Sequence, residues 1–87
     1  MDEGRCVDGN AIAGLLRELF ERELTEVMRG CSSCGDANLV GAHRAYRGAG
    51  IVLRCPSCGA VALTIVERPD RRVVQLTGRW TLELARP

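Results

Sequence analysis

Two cysteine pairs with the same spacing carry the chemistry that this sequence indicates most directly. Residues 31–35 read Cys-Ser-Ser-Cys-Gly, and residues 55–59 read Cys-Pro-Ser-Cys-Gly. Two residues between paired cysteines let the backbone turn back, so that both sulfurs reach one metal ion at about 2.3 Å. A second pair completes a tetrahedral set of four thiolates. We therefore predict one structural Zn²⁺ ion, with the ligands Cys31, Cys34, Cys55 and Cys58.

The residues beside the cysteines favour tight metal-binding turns. Gly35 and Gly59 lack a Cβ, which relieves strain where backbone N–H groups point at the thiolates. Pro56 fixes φ in the second turn. The same Cys-Pro-x-Cys-Gly pattern also suits a rubredoxin-like iron centre, although one Trp, one Tyr and one Phe leave little to shield a redox centre. An iron electron carrier and disulfide or thiol redox chemistry stay open as alternatives to zinc.

No catalytic constellation accompanies the cysteines. His43 is the only histidine, so any Ser-His or Cys-His pair would have to use it. Residues 48–50, Gly-Ala-Gly, lack the Lys-Ser/Thr and the helix of a phosphate-binding loop. Four thiolates also close a metal site, leaving no position for water or substrate. We expect a non-catalytic protein with no small-molecule substrate.

Arginines near two turns suggest contact with a macromolecule. The candidate contact residues are Arg44, Tyr46, Arg47, Arg71 and Arg72, and His43 and Arg68 are expected beside them on the same two turns. Such a surface would hold phosphates and stack bases, or else meet a protein partner. The alternative is a solvated hairpin that keeps a small protein soluble. Arg29 and Arg54, close to the cysteine pairs, either offset the charge of four metal-bound thiolates or are ordinary exposed arginines.

Length and charge set the frame for these residues. The 87 residues allow one domain, 1–87. Its core is too small to stabilise the fold well by itself, so an additional crosslink such as a bound metal ion is expected. All twelve basic residues are arginine. Residues 1–40 hold eight acids and four arginines, a net charge of −4, and residues 41–87 hold three acids and eight arginines, a net charge of +5. This asymmetry indicates either two faces with different partners or two faces that attract one another.

The periodicity predicts an α+β fold: an N-terminal helix followed by a zinc-ribbon-like small antiparallel β-sheet. The helix covers about 10–22, capped by Asp8 or Asn10, and the ribbon covers about 24–84. The apolar stripe of the helix comprises Ile12, Leu15, Leu16, Leu19 and Phe20. We expect it to pack on the sheet, or alternatively to dock on a partner.

The predicted strands are 24–29, 38–46, 51–54, 61–68, 73–76 and a last strand containing Trp80, Leu82 and Leu84. Trp80 is expected in the core.

These motifs together resemble a family of small actinobacterial zinc-ribbon proteins of unknown function. The resemblance runs from about Asp8 to Leu84 and rests on the Asp-Gly-Asn-Ala opening at residues 8–11, the two Cys-x-x-Cys-Gly motifs and the closing Gly-Arg-Trp at residues 78–80. It implies a helix, a zinc ribbon and the four cysteine ligands named above. It implies no activity.

The sequence also indicates where the chain works. No apolar run approaches the ~18 residues that cross a bilayer, and residues 1–5 lack the start of a signal peptide. We expect a cytoplasmic protein without a membrane partner. Cys6, the fifth cysteine, is expected to be a spare thiol in a flexible N-terminal stretch.

Overall fold

A computed structural model describes residues 6–86 as one helix and two antiparallel sheets. A 3₁₀ turn, Gly9–Ile12, leads into helix α1, Ala13–Phe20, and a second 3₁₀ turn spans Val40–Ala42. The strands are β1 (Cys6–Asp8), β2 (Met28–Gly30), β3 (Ala37–Leu39), β4 (Arg44–Arg47), β5 (Gly50–Arg54), β6 (Val61–Glu67), β7 (Arg72–Leu76) and β8 (Arg79–Thr81). The predicted α+β class, an N-terminal helix followed by antiparallel strands, is confirmed, and the short strand β1 precedes the helix.

The helical segment begins and ends as its residue types require. Asp8 caps the opening 3₁₀ turn, because its Oδ1 accepts a hydrogen bond from the N–H of Ala11 at 3.2 Å. α1 ends where Glu21 adopts φ 58°, a left-handed conformation that stops the helical hydrogen bonding. The predicted range of 10–22 therefore holds within two residues at its end, with a 3₁₀ first turn that periodicity does not reveal.

The strands form two sheets rather than the one that we predicted. The larger sheet has the order β1-β4-β5-β6-β7, and the smaller has the order β3-β2-β8. All pairings are antiparallel. The predicted strand 38–46 is wrong, because the 3₁₀ turn Val40–Ala42 breaks it and sends its two ends into different sheets. Val40 is buried there, and Gly41 donates to the carbonyl of Thr25 at 2.9 Å.

Three further boundaries differ from the sequence prediction. The strand expected at 24–29 shrinks to β2, because Leu24 and Val27 are buried in a turn that precedes it. The last strand ends at Thr81, and Leu82 and Leu84 are exposed beyond it. β1, which pairs with β4, was not predicted, and it places the backbone of Cys6 in a strand instead of a flexible stretch.

One hydrophobic cluster joins the helix to the larger sheet. Ile12 and Leu16 are buried in it with Leu53, Leu63 and Ile65. The helix thus packs on the sheet as expected, and these two residues are not available to dock on a partner. Trp80 is half-buried against the same cluster, with its indole N–H donating to the carbonyl of Thr77 at 2.8 Å. Within residues 6–86, no helix has the length and apolar character that crossing a membrane demands.

Candidate metal centre

Each cysteine pair lies on a tight turn at the end of a strand, and the two turns have the same hydrogen bonds. In the first turn, which follows β2, Cys31 N–H donates to Asp36 O at 2.9 Å and Gly35 N–H donates to Cys31 O at 2.9 Å. In the second, which follows β5, Cys55 N–H donates to Ala60 O at 2.8 Å and Gly59 N–H to Cys55 O at 2.9 Å. We call these turns the first knuckle (31–36) and the second knuckle (55–60).

A glycine closes each knuckle for a conformational reason. Gly35 and Gly59 both have φ +83°, in the left-handed region that L side chains avoid. Beyond the chain neighbours, no atom of the described residues lies within 4 Å of a Cβ at either position, so the backbone angle and not a lack of space explains the glycine. The conformational role predicted for both glycines therefore agrees with the geometry.

The two knuckles bring four sulfurs together. The Sγ atoms of Cys31, Cys34, Cys55 and Cys58 all lie within 4.8 Å of one another. Cys31 Sγ lies 3.7 Å from Cys58 Sγ, and Cys34 Sγ lies 3.8 Å from Cys55 Sγ. Four ligands at about 2.3 Å from one tetrahedral ion are about 3.8 Å apart. The cluster therefore has the size of a tetrahedral metal site, and its soft thiolates suit Zn²⁺ or iron.

The cysteines of each pair differ in their surroundings. Cys31 and Cys55 are buried, whereas Cys34 and Cys58 are exposed. The N–H of Ser33 lies 3.4 Å from Cys31 Sγ, and the N–H of Ser57 lies 3.4 Å from Cys55 Sγ. Each knuckle thus aims backbone donors at its inner sulfur, which stabilises a thiolate there.

These surroundings separate the acidities of the thiols. Backbone N–H donors from Cys34 and Ser33 lower the pKa of Cys31 to about 6. The N–H of Asp36 pulls the pKa of Cys34 downward, but desolvation and the neighbouring sulfurs outweigh it and raise the pKa to about 12. Burial works to raise the pKa of Cys55, but the N–H groups of Cys58 and Ser57 lower it overall.

Cys58 follows the pattern of the other outer cysteine. The N–H of Ala60, 3.4 Å from its Sγ, works to lower its pKa, yet desolvation and the nearby Cys31 sulfur raise it overall. Four sulfurs this close do not all ionise without a cation among them. Their joint ionisation therefore requires a metal ion.

Arg29 and His43 are both buried. The interpretation of Arg29 as an ordinary exposed arginine is therefore wrong, and so is the prediction that His43 lies on an exposed turn beside the contact residues. Arg29 is 1% exposed, and His43 at 0% does not belong to a basic rim. Arg29 Nε donates to Thr77 O at 2.8 Å, and its Nη1 lies 3.3 Å from His43 Nε2. His43 Nδ1 lies 2.9 Å from Leu39 O, so Nδ1 donates and Nε2 accepts. Burial, with Arg29 beside it, holds the pKa of His43 below its ordinary value despite the Leu39 bond.

The predicted contact residues divide into two groups. Arg44 and Tyr46 lie on the solvent face of the larger sheet, where Arg54 joins them: its guanidinium carbon lies 5.9 Å from the Tyr46 ring centroid, and its Nη1 donates to Gly59 O at 3.0 Å. Arg54 therefore contacts the second knuckle through a carbonyl. Arg47 is exposed at the end of β4.

Arg71 and Arg72 lie apart from Arg44 and Tyr46. Two strands, β5 and β6, separate β4 from β7 in the larger sheet. Arg71 lies 3.6 Å from Asp70, and Arg72 Nε contacts both oxygens of Glu67 at 3.0 and 3.1 Å. Both guanidiniums thus have carboxylate partners, and Arg47 lines one groove with Glu67, the partner of Arg72. A contact role for these arginines stays a prediction.

Little in the sequence points to the Arg29–His43 pair. Cys31 follows β2 directly, so strand alternation continued by one residue would place it on the side of Arg29, and this is the one available signal. The burial of His43 depends on the turn at Val40–Ala42, which strand periodicity does not reveal.

Fold and site together define a small α+β protein with a four-cysteine cluster, carried on two knuckles, that could hold a metal ion. Comparison with family models then identifies the family. Residues 2–87 match the family described as "Family of unknown function (DUF6510)", and the chain belongs to it. The resemblance to a family of unknown function is thereby confirmed. No curated protein and no solved structure matches the chain.

Proposed function

We propose that this protein is a non-catalytic zinc-ribbon module, in which one structural Zn²⁺ joins the two knuckles and the sheet surface contacts a macromolecule. The cluster of four Sγ atoms within 4.8 Å carries the proposal. When bound, the ion would supply a crosslink between hairpins that are distant in sequence, held by Cys31, Cys34, Cys55 and Cys58. A cytoplasmic location fits this role, since thiols stay reduced there.

A structural role is favoured over catalysis by the same donor set. Four thiolates saturate a tetrahedral ion, so no position is left for a substrate or a water molecule. The sole histidine has both ring nitrogens engaged, with Leu39 O and with Arg29, and is buried away from solvent. It is therefore not placed to act as a general base.

The solvent face of the larger sheet is the contact surface that we favour. Arg44 and Arg54 stand opposite each other on β4 and β5, and the next register positions on that face carry Tyr46 and Val52. A shallow groove of about 350 Å³ runs along it, lined by mostly apolar atoms from Tyr46 and residues 48–52 and 64–66. An aromatic ring with two flanking arginines suits stacked bases and phosphates, and it also suits a protein partner.

Metal analysis of protein purified without added metal tests the core of this proposal. We expect one zinc per chain in a colourless protein. The rubredoxin-like alternative requires iron, a red colour and a reversible redox potential, and that result would replace zinc by an electron carrier. A protein with none of these metals, in a form whose four thiols are all reactive, would defeat both.

The partner class is decided by titrating a fluorescent single-stranded oligonucleotide at low salt. If the partner is a nucleic acid, binding weakens steeply with salt and is lost on combining Arg44→Gln with Arg54→Gln. Arg71→Gln is the matched control, because Arg71 lies near Asp70 on a distant turn. No binding to the wild type at low salt would remove nucleic acid and leave proteins as the partner class.

A further inference from the structure

Arg29 is the largest side chain that the fold buries completely, and among residues 6–86 no carboxylate contacts it. Its hydrogen-bond partners there are the Thr77 carbonyl and the acceptor nitrogen of His43, which are both neutral. Burying a guanidinium without an opposite charge is costly, since the fold replaces its hydration shell with only a few dipoles. The described residues thus leave a buried positive charge that lacks an anion.

The chain places this charge next to the buried cysteines. Arg29 lies in β2, and Cys31 follows the strand directly, two positions on, so a continued strand alternation would send both side chains to one face. β4 and β5 pair Arg44 with Arg54, and His43 and Cys55 are the residues that adjoin this pair just outside the two strands. Arg29 and His43 thus adjoin Cys31 and Cys55, the buried cysteines, in the chain and in the register.

The chain leaves room for the guanidinium beside the first knuckle. A Cβ at Gly78 would lie 2.9 Å from both Nε and Nη2 of Arg29 and 2.6 Å from Gly30 O. Gly78 and Cys31 line the same groove, together with Gly30 and Arg79. The missing side chain at Gly78 thus accommodates the buried guanidinium close to the knuckle.

We propose that Arg29 is the buried countercation of the metal centre. This inference rests on the proposed function, because a divalent ion with four thiolates has a formal charge of −2. A guanidinium stays protonated at every relevant pH, and charges within a protein are screened far less than charges in water. His43 is the positioning residue: its acceptor nitrogen holds Nη1 without adding a charge of its own.

Metal affinity measured by competition with a chromogenic chelator tests this role. We expect Arg29→Gln to weaken zinc binding by about tenfold or more, as changes next to metal ligands do. Arg29→Lys, which keeps the charge, should stay within about threefold of the wild type. The matched control is Arg79→Gln, since Arg79 pairs with Gly30 beside the same knuckle but is exposed. It should leave the affinity unchanged.

The outcomes separate this inference from the proposed function. A wild-type chain that binds no metal defeats the proposed function itself. Wild-type binding with equal affinity in Arg29→Gln overturns only the countercation role and leaves Arg29 as a hydrogen-bond donor. If Arg29→Gln does not fold, the zinc affinity of Arg29→Lys decides the question. A loss of about tenfold in the zinc affinity of Arg29→Lys, which keeps the charge, would overturn the countercation role and show that the hydrogen bonds of Arg29 matter instead.

Discussion

At the scale of single residues, the four cysteines are two inner and two outer ligands. Cys31 and Cys55 are buried, receive backbone N–H groups and have lowered pKa values. Cys34 and Cys58 are exposed and have raised pKa values. Without metal near neutral pH, Cys31 is thus ionised, whereas Cys34 and Cys58 keep their protons. A metal ion must displace those protons to obtain four thiolates.

This difference predicts the pH dependence of metal binding. Since at least the two outer thiols lose their protons when the metal binds, zinc affinity should rise with pH, by about a hundredfold or more per pH unit between pH 7 and 8. Chelator competition at several pH values measures the slope, and proton release in weak buffer should give about two protons or more per metal. Affinity that is independent of pH would contradict the assignment of protons to Cys34 and Cys58.

The four cysteines could be grouped from sequence because their chemistry follows from spacing alone. Cys-x-x-Cys fixes a local turn, and the repeat of that turn indicates a shared ion. The surroundings of Arg29 and His43 could not be obtained in the same way. Their burial depends on which elements cover them, and both residue types are ordinarily polar and exposed.

At the scale of elements, long alternating segments were predicted well and short ones poorly. β5, β6 and β7 lie within a residue or two of their predicted positions, because each alternates or packs against a neighbour over several residues. Four strands have only three residues each, which is too few to show an alternation of apolar and polar residues: β1, β2, β3 and β8. The turn at Val40–Ala42 resembles a strand in the sequence, since the buried Val40 is apolar and β-branched.

The connection from β7 to β8 offers a test of how backbone and packing combine. Gly78 has φ +92°, and a Cβ there would also clash with Gly30 O and the Arg29 guanidinium. We expect Gly78→Ala to destabilise the metal-loaded protein by about 3 kcal/mol or more, through strain and overpacking together. Urea unfolding monitored by circular dichroism measures the loss.

Gly59→Ala is the matched control for that substitution. Gly59 has a similar φ of +83°, but beyond its chain neighbours no atom of the described residues lies within 4 Å of the position that an alanine methyl group would occupy. Backbone strain alone then predicts a loss of about 1–2 kcal/mol. If the two alanine variants lose equal stability, the close approach of Arg29 to Gly78 is not significant.

At the scale of the whole molecule, the acidic and basic halves of the chain meet in the fold. Arg72 from the basic half lies 3.8 Å from Glu18 on α1, and Arg22 donates from the acidic half to the carbonyl of Glu83 at 2.9 Å. The Arg72–Glu18 pair joins opposite charges of the two halves, whereas the Arg22 bond goes to a neutral carbonyl. Which of the two interpretations of the charge asymmetry holds stays a prediction. Exposed pairs of this kind add little to the free energy of unfolding, so the small fold still needs a crosslink such as a bound metal ion.

The metal would supply that crosslink between the two sheets. The hydrophobic cluster joins α1 to the larger sheet, whereas the first knuckle extends from the smaller, three-stranded sheet. A zinc ion shared by the two knuckles would tie the smaller sheet to β5. Structural zinc contributes on the order of 10 kcal/mol, which is comparable to the stability of a whole small domain.

Thermal melting before and after complete metal removal tests this account most directly. Metal content and circular dichroism are followed together while a strong chelator strips the protein under reducing conditions. We expect one metal ion per chain, and on its removal the loss of strand signal with a melting transition that disappears or falls by at least about 20 °C. An unchanged spectrum and melting curve after complete removal of the metal would contradict the claim that four cysteines and one ion hold this fold together.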